Sequence, residues 1–307
     1  MKTKERRRIL TLRDLSVEER RALREEIREA AARDNHLAIA ATISERIELD
    51  IPVRDLGALV LEEGSYELGD IVEWELEPGL TAYVLVDGMD TITDQVTRAK
   101  VIPTPRRVDC SPEVYIPDVR AGKIDPLGFA AKTANAFARQ KNYFVWSLLT
   151  AAVAAGDANY TSIAGATLTQ AALNTAISTV QDKAGMAAAI VGRSTTINAI
   201  ADFSGYSDET KREIEVGGVL GTYRGATIVG LQQMLDEYGL RKVGTTNLIS
   251  PLTVMVVGQG VGKYRSSPIE PLVHPVDKSW HQVYQYTRWD IGAVLHPNYL
   301  YRLQLTG

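Results

Sequence analysis

Asp125-Pro126 opens the longest helical pattern in the chain, and that pattern constrains the fold more than any other feature. Asp is a favoured N-cap, and proline suits the first helical position, where a missing N–H costs nothing. The stretch DPLGFAAKTANAFARQKNYFVWSLLTAAVAAG predicts a helix of about thirty residues ending near Gly156, roughly 45 Å at 1.5 Å per residue. Ala130, Ala134, Phe137, Phe144 and Leu148 fall near one face, with Lys132, Arg139 and Lys141 off it. So long a helix outreaches a small compact domain and must act as a spine.

The chain before the spine reads differently. From Gly64 to about Gly122, YELGDIVEWELEPGLTAYVLVDG and QVTRAKVIPTPRRVDCSPEVYIPDVRAG are rich in β-branched residues and broken by turn residues. An extended segment of this length with little apolar depth cannot support itself, so it must project as a hairpin or lie against something else. Further upstream, Ser16 and Glu19 form a capping box for a helical stretch whose first half is too polar for a core. That helix is either solvated or an arm lying on a neighbouring subunit. Residues 1–13 carry Lys2, Lys4, Arg6, Arg7, Arg8 and Arg13 against Glu5 alone. They read as a solvated end, as an arm reaching a neighbour's acidic surface, or as a contact for nucleic-acid phosphate without interleaved aromatics.

After the spine comes a compact α/β unit. Thr167 and Gln170 cap a helix with Leu173, Ala176, Ile177 and Val180 as its apolar stripe. Met186–Gly192 predicts a buried strand, STTINAIADF a short helix, and Asp208–Thr222 a polar glycine-bearing loop. GATIVGL and LTVMVVG supply two further buried strands. The closing segment, SWHQVYQYTRWDIGAVLHPNYLYRLQL, is aromatic and β-prone, with a break at His296-Pro297.

Composition and motifs argue against chemistry. The 307 residues carry a net charge of −4, so no overall basic character marks nucleic-acid binding. The longest apolar run, Phe144–Ala155, is too short to cross a bilayer, and no apolar secretory segment follows the basic start. Cys110 is the single cysteine, which excludes an intrachain disulfide and a cysteine-based zinc site. His36, His274, His281 and His296 lack metal-ligand spacing, and no G-x-S-x-G elbow occurs. The loop VGQGVGKY suggests a phosphate cradle, but Val257 and Tyr264 occupy the positions where a Walker loop needs glycine and a hydroxyl residue. Proline in YRSSPIEP denies it a following helix, so the glycines serve a tight turn. Glu62-Glu63 and Asp236-Glu237 read as solvated, Asn159-Tyr160-Thr161 as a chance glycosylation sequence, and Cys110 as structural. No catalytic, cofactor-binding or metal-ligating residue is assigned, and the chain is not expected to be an enzyme.

The order of these parts resembles the major capsid protein of tailed bacteriophages, the Hong Kong 97-type family. The telling stretches are PEVYIPDVRAGKIDPLGFAAKTANAFARQKNYFVW, AAAIVGRSTTINAIADF, GTYRGATIVGLQQM and the segment from Leu252 to Leu303. The resemblance implies an α+β Hong Kong 97-like fold: an N-terminal arm over 1–57, an extended E-loop over 58–110, a peripheral P-domain from 111–165 and 265–307, and an axial A-domain over 166–264. It further implies that Trp280, Tyr284, Tyr286, Trp289, Tyr299 and Tyr301 build the P-domain sheet and its packing on the spine, and that the Asp208–Thr222 loop faces a capsomer centre. The implied function is self-assembly as pentamers and hexamers into an icosahedral phage head. That head would enclose double-stranded DNA without sequence-specific contact. The implied partners are a separate scaffolding protein, a portal and a decoration protein, with assembly in the host cytoplasm and residence in the virion. Some relatives cross-link subunits through lysine; Lys100 lies on the E-loop, with no matching partner motif. Rival readings are an encapsulin-like cellular shell, a soluble α/β enzyme using VGQGVGKY, and a DNA-binding protein using residues 1–13.

Overall fold

The computed structural model describes residues 21–22, 25–27, 29, 36–50, 56–76, 99–121, 123, 126–203, 221–231, 235–238, 242–247, 249–275 and 281–306. The Ser16–Glu19 capping box, residues 1–13, Asp125, Trp280 and nearly all of the Asp208–Thr222 loop lie outside them.

Two six-stranded sheets share the spine helix, Pro126–Ala151. The first is organised around one 14-residue strand, His281–Val294. Along one edge it pairs antiparallel with Gly262–Ser266 and then Glu270–Pro275; along the other, with Arg106–Cys110 and Glu113–Tyr115. Glu62–Ser65 extends this sheet, parallel to Gly262–Ser266.

Side chains on a strand alternate between faces. Gln282, Tyr284, Tyr286, Arg288 and Asp290 are therefore buried on one face of the long strand. There Tyr284 and Tyr286 pack with Ala130, Ala134 and Phe137 of the spine and with Ile39, Ala40, Ile43 and Ile47 of helix His36–Asp50. The apolar side of this described half is buried on its own chain, so it is not solvated all round. On the opposite face, Ile291 and Ala293 pack with Tyr66, Val72 and Trp74, and Trp289 joins them.

The second sheet runs Tyr160–Ala164, Leu300–Thr306, Thr253–Gly258, Ala187–Arg193, Ala226–Leu231, Thr222–Tyr223. Every residue of its central strand, Thr253–Gly258, is buried because both faces are covered. Helix Gln170–Ala184 covers one face with Leu173, Ala176, Ile177 and Val180. The C-terminal half of the spine covers the other with Val145, Trp146 and Leu149, joined by Val153 just beyond its end.

Several local expectations shift. The predicted Thr167 cap is replaced by Thr169, whose side chain makes no cap hydrogen bond. STTINAIADF splits into Ser194–Ile197 and a 3₁₀ turn, Asn198–Asp202. The spine stops at Ala151 rather than near Gly156, and the following turn is closed by Asp157 Oδ2 accepting from the Ala154 N–H at 2.7 Å. Arg302 then donates to the carbonyls of Thr150 and Val153 at 3.3 and 3.2 Å, placing a cation where the helix dipole is negative.

The aromatic assignments also change. Trp289 faces away from the spine because it lies at odd spacing from Tyr284 and Tyr286. Tyr301 belongs to the second sheet, under helix Gln170–Ala184, because the chain crosses between sheets at Leu295–Tyr299. Strands Tyr160–Ala164 and Leu300–Thr306 lie together in that second sheet, across the boundaries expected for the P- and A-domains.

The VGQGVGKY loop carries the chain from one sheet to the other. Gly260 takes φ +71°, a left-handed conformation that glycine adopts without penalty. A β-carbon at Gly262 would lie 2.2 Å from the Ala293 carbonyl oxygen, and one at Gly258 would lie 2.6 Å from Ala184 Cβ. Gly262→Ala is expected to cost about 3 kcal/mol through forced separation of the two backbones, read as a lowered denaturation midpoint.

Candidate assembly surface

The segment leaving the first sheet forms an isolated two-stranded ribbon, Trp74–Leu76 against Ala99–Val101. Two strands alone are marginal in water and need a packed face. Val72 and Trp74 provide it, seated on Ile291 and Ala293 of the long strand. The other face bears Ile71, Glu73, Glu75, Lys100 and Ile102, with Ile71 79% and Ile102 63% exposed. At the ribbon's root, the turn Glu67–Asp70 exposes Leu68 at 47%. No described element covers this face.

Charged groups fix the ribbon's root to the spine. Lys141 Nζ sits 2.7 Å from Glu63 Oε1, with the lysine side chain 8% exposed, and lies 4.8 Å from the centre of the Tyr264 ring. Sequence periodicity placed Lys141 off the apolar face and left Glu62-Glu63 solvated. The structure corrects the first, since Lys141 is buried; Glu62 and Glu63 are exposed as expected but lie in an edge strand beside the spine, with Glu62 3.2 Å from Lys263. The lysine of VGQGVGKY therefore meets a carboxylate, and a strand rather than a helix follows its glycines.

Deeper in the sheet, Arg288 and Asp290 form a two-point pair, Nε–Oδ1 2.8 Å and Nη2–Oδ2 3.0 Å, with side chains 3% and 0% exposed. The Arg288 guanidinium lies 5.3 Å from the Phe137 ring, tying the pair to the spine. Burial, with the nearby charge of Asp290, raises the pKa of Tyr66.

The outer face of the long strand's first half is polar. Partial burial pushes the Asp109 carboxyl upward, but hydrogen bonds from Thr287, Arg107 and Gln285 outweigh it, and its pKa is lowered. His281 Nδ1 lies 3.0 Å from Glu113 Oε1, and His274 Nε2 is hydrogen-bonded to Gln285. Among the described residues, no group of three or more His, Cys, Asp and Glu could hold a metal ion. No helix there is long and apolar enough to cross a membrane. Cys110 is half-buried against the spine, and burial raises its pKa, which disfavours the reactive thiolate. Asn159 is buried and donates to the carbonyls of Pro297 and Leu300, so its amide serves the fold. Lys100 donates to Glu73 at 2.8 Å, and that hydrogen bond and charge raise its pKa, disfavouring the neutral amine a cross-link would need.

The fold as a whole is similar to those of solved structures. A chain of the bacteriophage PhiM1 mature capsid superposes with a TM-score of 0.57 at 11% identity, covering 82% of this chain and 87% of that one. The capsid of the native GTA particle gives a TM-score of 0.60 at 11% identity, covering 83% and 91%.

This is the Hong Kong 97-type capsid fold.

A structure from Microbacterium phage Oxtober96 matches similarly, with a TM-score of 0.59, 11% identity and 82% and 91% coverage. The family described as "SPbeta prophage-derived putative capsid protein YonB" matches residues 121–263, from the start of the spine to the VGQGVGKY loop. No curated protein matches the chain.

Two tests follow from the capsid fold's buried charges and phenols. Glu63→Gln leaves the buried Lys141 ammonium without its counter-charge and is expected to cost about 2 kcal/mol, discounted for the partly exposed carboxylate. Lys141→Met leaves a carboxylate that water can reach, and should cost less than about 1 kcal/mol; chemical denaturation of both variants checks the asymmetry. Burial pushes the Tyr284 phenol up to about 12, and burial with the nearby Tyr284 and Cys110 raises Tyr286 further. Because the folded values exceed the unfolded value of 10.0, their contribution is present below pH 10 and is lost as pH rises toward 12. Tyr284→Phe/Tyr286→Phe should flatten the alkaline arm of a melting-temperature profile.

Proposed function

We propose that the chain is the major capsid subunit of a tailed bacteriophage, assembling as pentamers and hexamers into an icosahedral head that encloses double-stranded DNA. One observation supports this reading: on a capsid fold, the ribbon presents Ile71 and Ile102, and no element among the described residues covers them. Large exposed apolar side chains grouped beside each other mark a contact surface. A closed shell supplies that contact from an identical copy, and symmetry repeats modest burial many times.

The division into an N-terminal arm over 1–57, E-loop over 58–110, P-domain from 111–165 and 265–307, and A-domain over 166–264 belongs to this proposal. So do a scaffolding protein and portal during assembly, a decoration protein, and assembly in the host cytoplasm before residence in the virion. The negative net charge of −4 suits a container that must not hold the polymer entering it. The subunit's role is structural, built on contacts rather than on a catalytic group.

Electron microscopy of the purified protein, expressed alone and with its neighbouring phage genes, tests the reading. Closed shells of pentamers and hexamers, filled with DNA when a portal is present, are expected. Shells holding a cargo enzyme would favour an encapsulin-like compartment. A protein that remains monomeric under all assembly conditions would overturn the capsid assignment.

A further inference from the structure

The outer edges of the two sheets are protected differently. An edge strand presents unpaired N–H and C=O groups, and natural proteins blunt such edges with charge or proline. The first sheet ends in strands that carry Glu62-Glu63, Arg106-Arg107, or Pro271 and Pro275. The second sheet ends in Tyr160–Ala164 on one side and Thr222–Tyr223 on the other, with no charge and no proline in either strand. Among the described residues no further strand pairs with either end. An unprotected edge is a place where another chain can extend the sheet.

Hydrogen bonds show which peptide groups face outward. The Arg302 N–H donates to the Asn159 carbonyl at 2.8 Å, and the Gly165 N–H to the Thr306 carbonyl at 3.0 Å. Odd-numbered residues of Tyr160–Ala164 therefore turn their peptide groups toward Leu300–Thr306. Ser162 and Ala164 turn theirs outward, and both residues are exposed. At the other end, the Ile228 N–H donates to the Gly221 carbonyl at 3.1 Å, which leaves Thr222, also exposed, facing outward.

Strand directions are complementary too. Tyr160–Ala164 runs parallel to Leu300–Thr306, and Thr253–Gly258 opposes both. Ala187–Arg193 and Ala226–Leu231 reverse again, and Thr222–Tyr223 opposes those two. The terminal strands thus run in opposite directions. A copy related by rotation about an axis along the strands sets its Thr222 strand antiparallel to Tyr160–Ala164, the more stable pairing. Within one chain these strands lie five spacings apart, roughly 24 Å at ~4.8 Å each, so they cannot pair with each other.

We infer that the second sheet continues from copy to copy around each ring of the shell, the Tyr160–Ala164 edge of one subunit pairing with strand Gly221–Tyr223 of the next. The inference rests on the shell reading. Opposite ends of one sheet meeting head to tail make a heterologous contact, which closes into rings, whereas like ends meeting would stop at a pair. The small side chains of Ser162 and Ala164 leave the backbone open to the incoming strand. Each joint is short, and ring closure repeats it at every subunit.

Full-length protein carrying Ser162→Cys and Thr222→Cys, in a Cys110→Ser background, tests the joint. A disulfide needs Cα atoms within about 7 Å, so a bond between these two positions links different copies. Oxidised shells run on a denaturing, non-reducing gel are expected to give a ladder of linked subunits that ends at five and six. Hydrogen exchange on the unmodified protein is the second readout. The amides of Ser162, Ala164 and Thr222 should exchange at least about tenfold more slowly in shells than in unassembled subunits. Closed shells in which these amides stay as fast as in the free subunit overturn the inference and leave the shell reading intact, as does a ladder that stops at two. Protection without the disulfide shows that another segment covers the edge, and overturns it as well. Absence of shells from the unmodified protein defeats the shell reading itself.

Discussion

The two-residue alternation of strand His281–Val294 governs the first sheet and what attaches to it. Its even-numbered residues meet the spine and helix His36–Asp50. Its odd-numbered residues near the C-terminal end receive the ribbon. At Gly292 the spine comes so close that a β-carbon would lie 2.7 Å from Leu148 Cδ1. The strand is thus clamped between a helix on one side and the ribbon's apolar root on the other. A shift by one residue would turn the Arg288–Asp290 pair toward the ribbon and Trp289 toward the spine. Register here is decided by several kinds of interaction at once.

Charge serves position more than stability in this arrangement. A buried ion pair seldom exceeds a well-packed apolar alternative in net free energy, because both ions lose water. Lys141–Glu63 nevertheless selects one geometry, since it joins two different elements, whereas Arg288 and Asp290 lie two apart on one strand and fix only which face of that strand is buried. Lys141–Glu63 connects the spine to the sheet beside the ribbon, and Arg288 touches the spine through the Phe137 ring. The ribbon's angle is therefore set by a rigid helix at its root, while its outward face keeps exposed isoleucines and acidic side chains. That combination of a fixed root and a face that no described element covers is what the proposed assembly draws on.

The parts of the candidate surface were unequally legible. The failure of VGQGVGKY as a phosphate loop was plain from its residues, but the apolar depth of the segment after Gly64 was not, since Tyr66, Val72, Trp74, Val114 and Val119 are buried against its own chain. The partner of Lys141 was not, because a helical wheel knows only its own helix and cannot see the edge strand carrying Glu63. Glu62-Glu63 misled for the same reason: local composition resembles a turn, while a parallel pairing with Gly262–Ser266, some two hundred residues later, makes it a strand. Tyr301 and Trp289 were grouped with Tyr284 and Tyr286 by their shared aromatic character. Strand parity and a sheet crossing separate them.

Sequence by itself determined the elements whose signals are local: the proline-led spine, the apolar stripe of Gln170–Ala184, the buried strands around Ala187–Arg193 and Thr253–Gly258, and the turn at Gly260. Propensity, period and capping act over a few residues, and they read directly from the chain. Tertiary structure alone decided that His281–Val294 would be the centre of one sheet, that Leu300–Thr306 would join the other, and which side of the ribbon would be buried. Those outcomes depend on pairings between residues tens to hundreds of positions apart. Their free energy resides in shared surfaces that no single segment contains.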